Sequence, residues 1–193
     1  MAARRVRPVR PPLMPLSTMQ EFEALDETHA EVLQHLRQLE ALMQRLDTIG
    51  ADDSARDTAR VVRDFFDRTA RHHHAEEERV VFPPLLTSGN AELVQHVQRL
   101  QQDHGWLEED WHELQPQLEA IADGMGFIDP DLIREAVTVF GALYLEHIAL
   151  EESLAHVKRR RQFGKPLAEF QLVQQKLARM ATDLTAARLL VYR

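Results

Sequence analysis

The sequence predicts an all-α protein, an up-down antiparallel four-helix bundle with an extra C-terminal helix. Three observations lead there. Four long stretches carry apolar residues at alternating spacings of three and four, which lines one face of an α-helix. Turn and breaker residues separate these stretches by short connections, so consecutive helices are antiparallel neighbours. No stretch alternates apolar and polar residues as a half-buried strand does.

Residues 1–16 form a basic, proline-rich segment in which Arg4, Arg5, Arg7 and Arg10 stand among Pro8, Pro11, Pro12 and Pro15. It has no apolar core of the kind a secretory signal needs and reads as a flexible, solvated tail. The bundle is expected over residues 17–158. Its first helix starts at Thr18, at capping-box spacing from Glu21, carries Phe22, Leu25, His29, Val32, Leu36, Leu39, Met43 and Leu46 on one stripe, and ends at Gly50. The second starts at Asp53 or Ser54, carries Val62, Phe66, Ala70, His73, Glu77 and Val81, and stops before Pro83 and Pro84. The third presents Leu93, Val97, Leu100, His104, Leu107, Trp111, Leu114, Leu118 and Ile121, with a bend expected at Pro116 and an end in the turn at 123–126. The fourth carries Ile133, Val137, Phe140, Tyr144, His147, Glu151 and Leu154. Residues 159–193 give a further amphipathic helix after the basic run at 158–161 and the breaker Gly164-Lys165-Pro166.

Composition excludes several functions. The formal net charge of −8 argues against general binding of nucleic acid or anionic membranes, and no apolar run is long enough to span a bilayer. The absence of cysteine removes disulfides, zinc ribbons, iron–sulfur clusters and thiol nucleophiles, and suits a reducing cytoplasm. Any metal must therefore be held by nitrogen and oxygen.

The ten histidines are the feature to explain. Each of the four apolar stripes has one, His29, His73, His104 and His147, at a position where the pattern otherwise places Leu, Val or Phe. A single inward histidine is an ordinary hydrogen-bonded core residue. Four converging in one apolar bundle are costly to desolvate without a shared partner, and a metal centre is such a partner. Three of the four have a glutamate four residues on: Glu77 after His73, Glu108 after His104, Glu151 after His147. This spacing puts an imidazole and a carboxylate on one helix face, about 6 Å apart along the axis. With 18 glutamates in 193 residues, a given histidine meets a glutamate there about one time in ten, so three separate helices exceed chance. Carboxylates bridge cations and imidazoles complete each sphere, which suits two iron or manganese ions with a position open for a small ligand. Zinc, favouring four ligands, is a poorer match.

Within His72-His73-His74 and Glu76-Glu77-Glu78, periodicity selects His73 and Glu77, which share the stripe of Phe66, Ala70 and Val81. The outer pairs are read as solvated groups or as supports behind the ligands. Glu108 is either a third carboxylate ligand or a surface acid beside Glu109. His35, His96, His112 and His156 are read as surface residues, and Tyr144 as core packing one turn before His147.

These residues resemble the hemerythrin-like (HHE) cation-binding domains over about residues 18–158: His29 in LDETHAEVLQHL, His73 and Glu77 in HHAEEERVVFPPL, His104 in QQDHGWLEED, and His147 with Glu151 in YLEHIALEE. The resemblance implies two non-haem irons, one on His29 and His73, the other on His104 and His147, bridged by Glu77 and Glu151. It also implies a small ligand, O2, NO or peroxide, and a role in stress response, sensing or iron handling. Oxygen-carrying members have a histidine where this chain has Glu108, which counts against reversible oxygen carriage. The competing readings are a di-iron oxidase or peroxidase with Glu108 and Tyr144 near the reacting atoms, and an interaction bundle without metal.

Residues 158–193, KRRRQFGKPLAEFQLVQQKLARMATDLTAARLLVYR, resemble instead a stretch of the C-terminal domain of acyl-CoA dehydrogenases. The resemblance places Arg160, Gln162, Phe163 and Gln171 near a flavin in that family. The segment lacks the rest of a flavin and substrate pocket, so no dehydrogenase activity is expected. Its apolar side, with Phe170, Val173, Leu177 and Leu184, calls for a cover, either the bundle or a second copy of the chain.

Overall fold

A computed structural model describes residues 16–124, 129–162, 165–166, 176 and 179. The expected basic tail, the end of the turn at 123–126 and most of the C-terminal segment lie outside the described residues.

Helix α1 spans Leu16–Thr48, so it begins two residues before Thr18, which lies within the helix rather than at its cap. Gly50 follows with a positive φ of 95°, accessible to glycine without strain. Helix α2 is continuous but irregular: α-helical turns Asp53–Phe65, a π-turn Phe66–Ala70, α-helical Arg71–Glu76, a second π-turn Glu77–Val81, and α-helical Phe82–Leu86. Asp52 starts it, accepting from the Ala55 N–H at 2.9 Å while Arg45 Nε donates to the same carboxylate at 2.8 Å. Pro83 and Pro84 do not end this helix as the sequence suggests. They stand near the start of its last stretch, directly after the second π-turn.

Helix α3, Ala91–Asp123, is capped by Asn90, whose Oδ1 accepts from the N–H groups of Glu92 and Leu93, both at 3.1 Å. It runs unbroken through Pro116. Replacing Asn90 by Ala should cost about 1 kcal/mol in chemical denaturation, and replacement by Asp much less, because only the cap acceptor is lost. Helix α4, Pro130–Arg159, is capped by Asp129, which accepts from Asp131 N–H at 3.1 Å and Leu132 N–H at 3.3 Å. A two-residue antiparallel pair follows, β1 (Arg161–Gln162) with β2 (Lys165–Pro166), which periodicity did not foresee.

Each helix packs on its neighbours in sequence, and α4 closes the ring against α1. The core has two parts. The larger includes Val32, Leu39, Val62, Phe66, Leu107, Trp111, Leu118, Phe140 and Tyr144. The smaller comprises Phe82, Val97, Leu100, Leu150 and Leu154. Phe66 lies at the centre of the larger part, its ring 5.0 Å from Phe140, 5.2 Å from Trp111 and 5.4 Å from Tyr144. The Trp111 indole N–H is satisfied by Asp67 Oδ1 at 2.9 Å. Along α2, α3 and α4 the histidines fall between the two apolar parts, so the core is interrupted by one polar layer.

Candidate metal centre

In that layer His29, His73, Glu77, His104 and His147 are buried, and Glu151 nearly so. His29 Nε2 lies 2.9 Å from Glu151 Oε2, and His147 Nε2 lies 3.5 Å from the same oxygen. His73 Nε2 lies 3.4 Å from Glu77 Oε1, and His104 Nε2 lies 3.3 Å from Glu77 Oε2. Each carboxylate thus faces one imidazole of the α1/α2 half and one of the α3/α4 half. Two four-donor groups result, His29, His73, Glu77 and Glu151, and Glu77, His104, His147 and Glu151, each with its ligand atoms within 4.8 Å of one another.

The outer nitrogens have their own arrangement. His104 Nδ1 is 2.9 Å from Glu78 Oε1, which directs Nε2 inward. His147 Nδ1 faces Asp103 Oδ2 at 3.9 Å, and Arg99 Nε donates to Asp103 Oδ1 at 2.8 Å. Carboxylates behind imidazoles are how proteins fix the ring orientation of metal-binding histidines. Glu78, on the exposed side of α2, is such a support.

Electrostatics favour the metal-binding forms. Burial, reinforced by the neighbouring imidazoles, lowers the His73 pKa to about 3. Burial and the His147 ring lower His104 as well. These rings are therefore neutral with lone pairs available. Burial and the adjacent Glu151 charge raise Glu77 well above the usual carboxylate range. Burial pushes Glu151 the same way, but His147, His29 and His73 around it outweigh burial and hold it down. The two carboxylates thus share the site as a pair with one ready ionisation and one resisted.

His29 Nε2, His73 Nε2, His104 Nε2, His147 Nε2, Glu77 Oε2 and Glu151 Oε2 are buried without a well-formed hydrogen bond, and they face one another rather than groups outside the layer. Buried polar atoms left unsatisfied cost about 1–3 kcal/mol each. Cations placed among them remove that cost, so the residues present fit a two-metal centre.

Glu108, the remaining candidate ligand, is not brought to this layer. Its side chain is 45% exposed, accepts from Arg71 Nε at 3.0 Å and Arg71 Nη2, and lies 3.7 Å from His112. Spacing alone could not show this, because Arg71 comes from another helix. Conversely, His74 belongs to a third group with His104 and His147, ligand atoms again within 4.8 Å. Periodicity set it among solvated groups or supports behind the ligands; the stretch that carries it is flanked by π-turns on both sides. His96, read as a surface residue, is buried too. Tyr144 is buried among Phe66 and Phe140 and lies 5.7 Å from the His74 ring.

Comparison with known proteins agrees with this geometry. The model of the hemerythrin HHE cation binding domain matches residues 20–158. An uncharacterized protein of Haemophilus influenzae is 31% identical over 139 residues, 72% of this chain and 78% of that protein. The acyl-CoA dehydrogenase C-terminal domain model matches residues 147–193. There the relatives include a 3-(aryl)acrylate reductase of Clostridium sporogenes, 49% identical over 51 residues, and a 3-sulfinopropanoyl-CoA desulfinase of Advenella mimigardefordensis, 52% identical over 50 residues. Those matches cover 26% of this chain and only 14% and 12% of the relatives, so they concern a short shared segment. No solved structure matches. No helix among the described residues is long and apolar enough to cross a membrane. From its matched span and its buried histidine and glutamate clusters, the chain belongs to the hemerythrin HHE cation-binding domain family.

Proposed function

We propose that this protein holds a non-haem di-iron centre that binds or reacts with O2, NO or peroxide, in stress response, sensing or iron handling. The observation that carries the reading is the pair of donor groups sharing Glu77 and Glu151. His29 and His73 serve one ion, His104 and His147 the other, and the two carboxylates reach both. The mixed imidazole and carboxylate set suits iron, with manganese the next choice. Bound there, two irons supply redox chemistry and an exchangeable coordination position for a small ligand.

The chain's own residues do the rest. Glu78 holds the His104 imidazole in register from behind, and Asp103 faces the outer side of the His147 ring. Phe82, Leu100 and Leu150 on one side, and Leu107 and Tyr144 on the other, flank the layer with buried side chains, a setting that suits a small ligand. The oxidase or peroxidase reading puts Glu108 and Tyr144 near the reacting atoms; Arg71 engages the half-exposed Glu108 carboxylate, and Tyr144, 5.7 Å from the His74 ring, packs on Phe66 and Phe140 as core. Binding is therefore preferred to turnover.

Stopped-flow spectroscopy on anaerobically iron-loaded protein mixed with O2, NO or peroxide tests the choice. A saturable spectral change at one ligand per pair of irons, without sustained consumption, is expected. Sustained consumption of peroxide would replace this reading by the enzymatic one, and no response to any of the three would overturn the small-ligand function.

A further inference from the structure

Adjacent residues in a regular α-helix point about 100° apart. In α2, where the stretch Arg71–Glu76 is bracketed by π-turns at Phe66–Ala70 and Glu77–Val81, the His73 and His74 rings both meet other imidazoles of the polar layer. The two rings go to different halves of the centre. His73 lies against His29, with ring centroids 4.9 Å apart. His74 stacks on His104 at 4.2 Å and 15°, with His147 5.5 Å away. Its Nε2 is shielded from solvent and has no hydrogen-bond partner. Stacking satisfies the face of an imidazole but not its in-plane nitrogen, so the stacking alone does not explain why this atom is buried bare.

We infer that His74 is a fifth imidazole ligand, donated by α2 to the ion of His104 and His147, in the role that Glu108 does not fill. The inference rests on the di-metal reading of the centre and adds to it. The same short segment does both jobs: Arg71 engages both oxygens of Glu108 and keeps it at the surface, and three residues later His74 brings a nitrogen to the His104/His147 group. A bidentate guanidinium–carboxylate pair is directional enough to hold Glu108 away from a nearby cation. The two halves then differ, with three imidazoles on one side and two on the other.

Anaerobic ferrous-iron titration followed by calorimetry tests this on wild type, His74→Ala, His74→Leu and Glu108→Gln. In both His74 variants, one of the two binding steps should weaken by at least about 10–100-fold, the loss typical of perturbing metal-site residues. The other step should stay as in wild type, and added free imidazole should restore the weakened step in His74→Ala. Glu108→Gln should bind like wild type. If wild type binds no iron, the di-metal reading itself falls. Wild type binding two ions, with His74 variants indistinguishable from it, would overturn only the role of His74, as would loss of a step in Glu108→Gln. Should the variants not fold, a crystal structure of the iron-loaded wild type decides. His74 Nε2 is expected about 2 Å from an ion, and its placement out of bonding distance would refute the inference.

Discussion

Replacing His147 by Leu will abolish metal retention and, in the same variant, raise the melting temperature of the metal-free protein. His147 is 1% exposed, and both its ring nitrogens lack a hydrogen-bond partner. Without metal it is a polar group in an apolar bundle, lying between Tyr144 and Ile148 on one side and Leu150 on the other. Leu has similar volume and no polar atom to desolvate, so the gain is about 1–3 kcal/mol. For a chain of this size each kcal/mol corresponds to about 2–4 °C. Glu151 keeps His29 at 2.9 Å as a neighbour in the variant. With metal the order reverses, since saturating ligand stabilises only the protein that binds it, by about 4 kcal/mol at a thousandfold excess over Kd. Thermal unfolding with ferrous iron and with chelator reads both effects. A variant less stable than wild type in chelator would mean that His147 serves the fold rather than a metal.

Acid will unfold the metal-free protein at a pH well above that at which ordinary carboxylate loss acts. Burial, with neighbouring imidazoles, holds the His73 pKa at about 3 in the folded chain against 6.5 in an exposed one. Between those values the unfolded chain binds a proton that the folded chain refuses, so stability rises with pH across the window and is lost as pH falls from 6.5 towards 3. His73 alone accounts for a loss on the order of 4 kcal/mol, and His74 and His104 are displaced in the same direction by their burial. Fluorescence of Trp106 and Trp111 followed against pH gives the midpoint. His73→Leu should move it to lower pH. Bound metal should do so as well, because protons must then compete with an ion for the same lone pairs. An acid midpoint indifferent to both changes would contradict the assignment of these rings as buried and neutral.

The difference between what spacing reveals and what it hides is visible in α2. Val62, Phe66 and Ala70 obey helical periodicity and are buried as that predicts, because burying an apolar stripe is what orders the helix. The same rule puts His29, His104 and His147 on the inner faces of regular helices, where each is buried. It says less about His74 and about Pro83 and Pro84, which stand beside the π-turns: His74 reaches the His104 and His147 rings and the helix continues through both prolines, and neither follows from counting residues. Glu108 shows a second limit. Its spacing from His104 matches that of Glu151 from His147, but a cation on a neighbouring helix competes for it, and periodicity within one helix carries no information about that neighbour. The capping residue Asp52 is likewise fixed by a partner seven positions back, Arg45, which also holds its pKa down at about 2.

Metal analysis with an optical spectrum, on wild type and on a variant combining His73→Ala with Glu151→Ala, tests the central claim most directly. The account predicts about two irons per wild-type chain, with near-ultraviolet ligand-to-metal absorption, and loss of both in a variant that still shows the helical circular dichroism of the bundle. A wild-type protein that stays metal-free under anaerobic iron loading, and whose spectrum matches that of the variant, would contradict it.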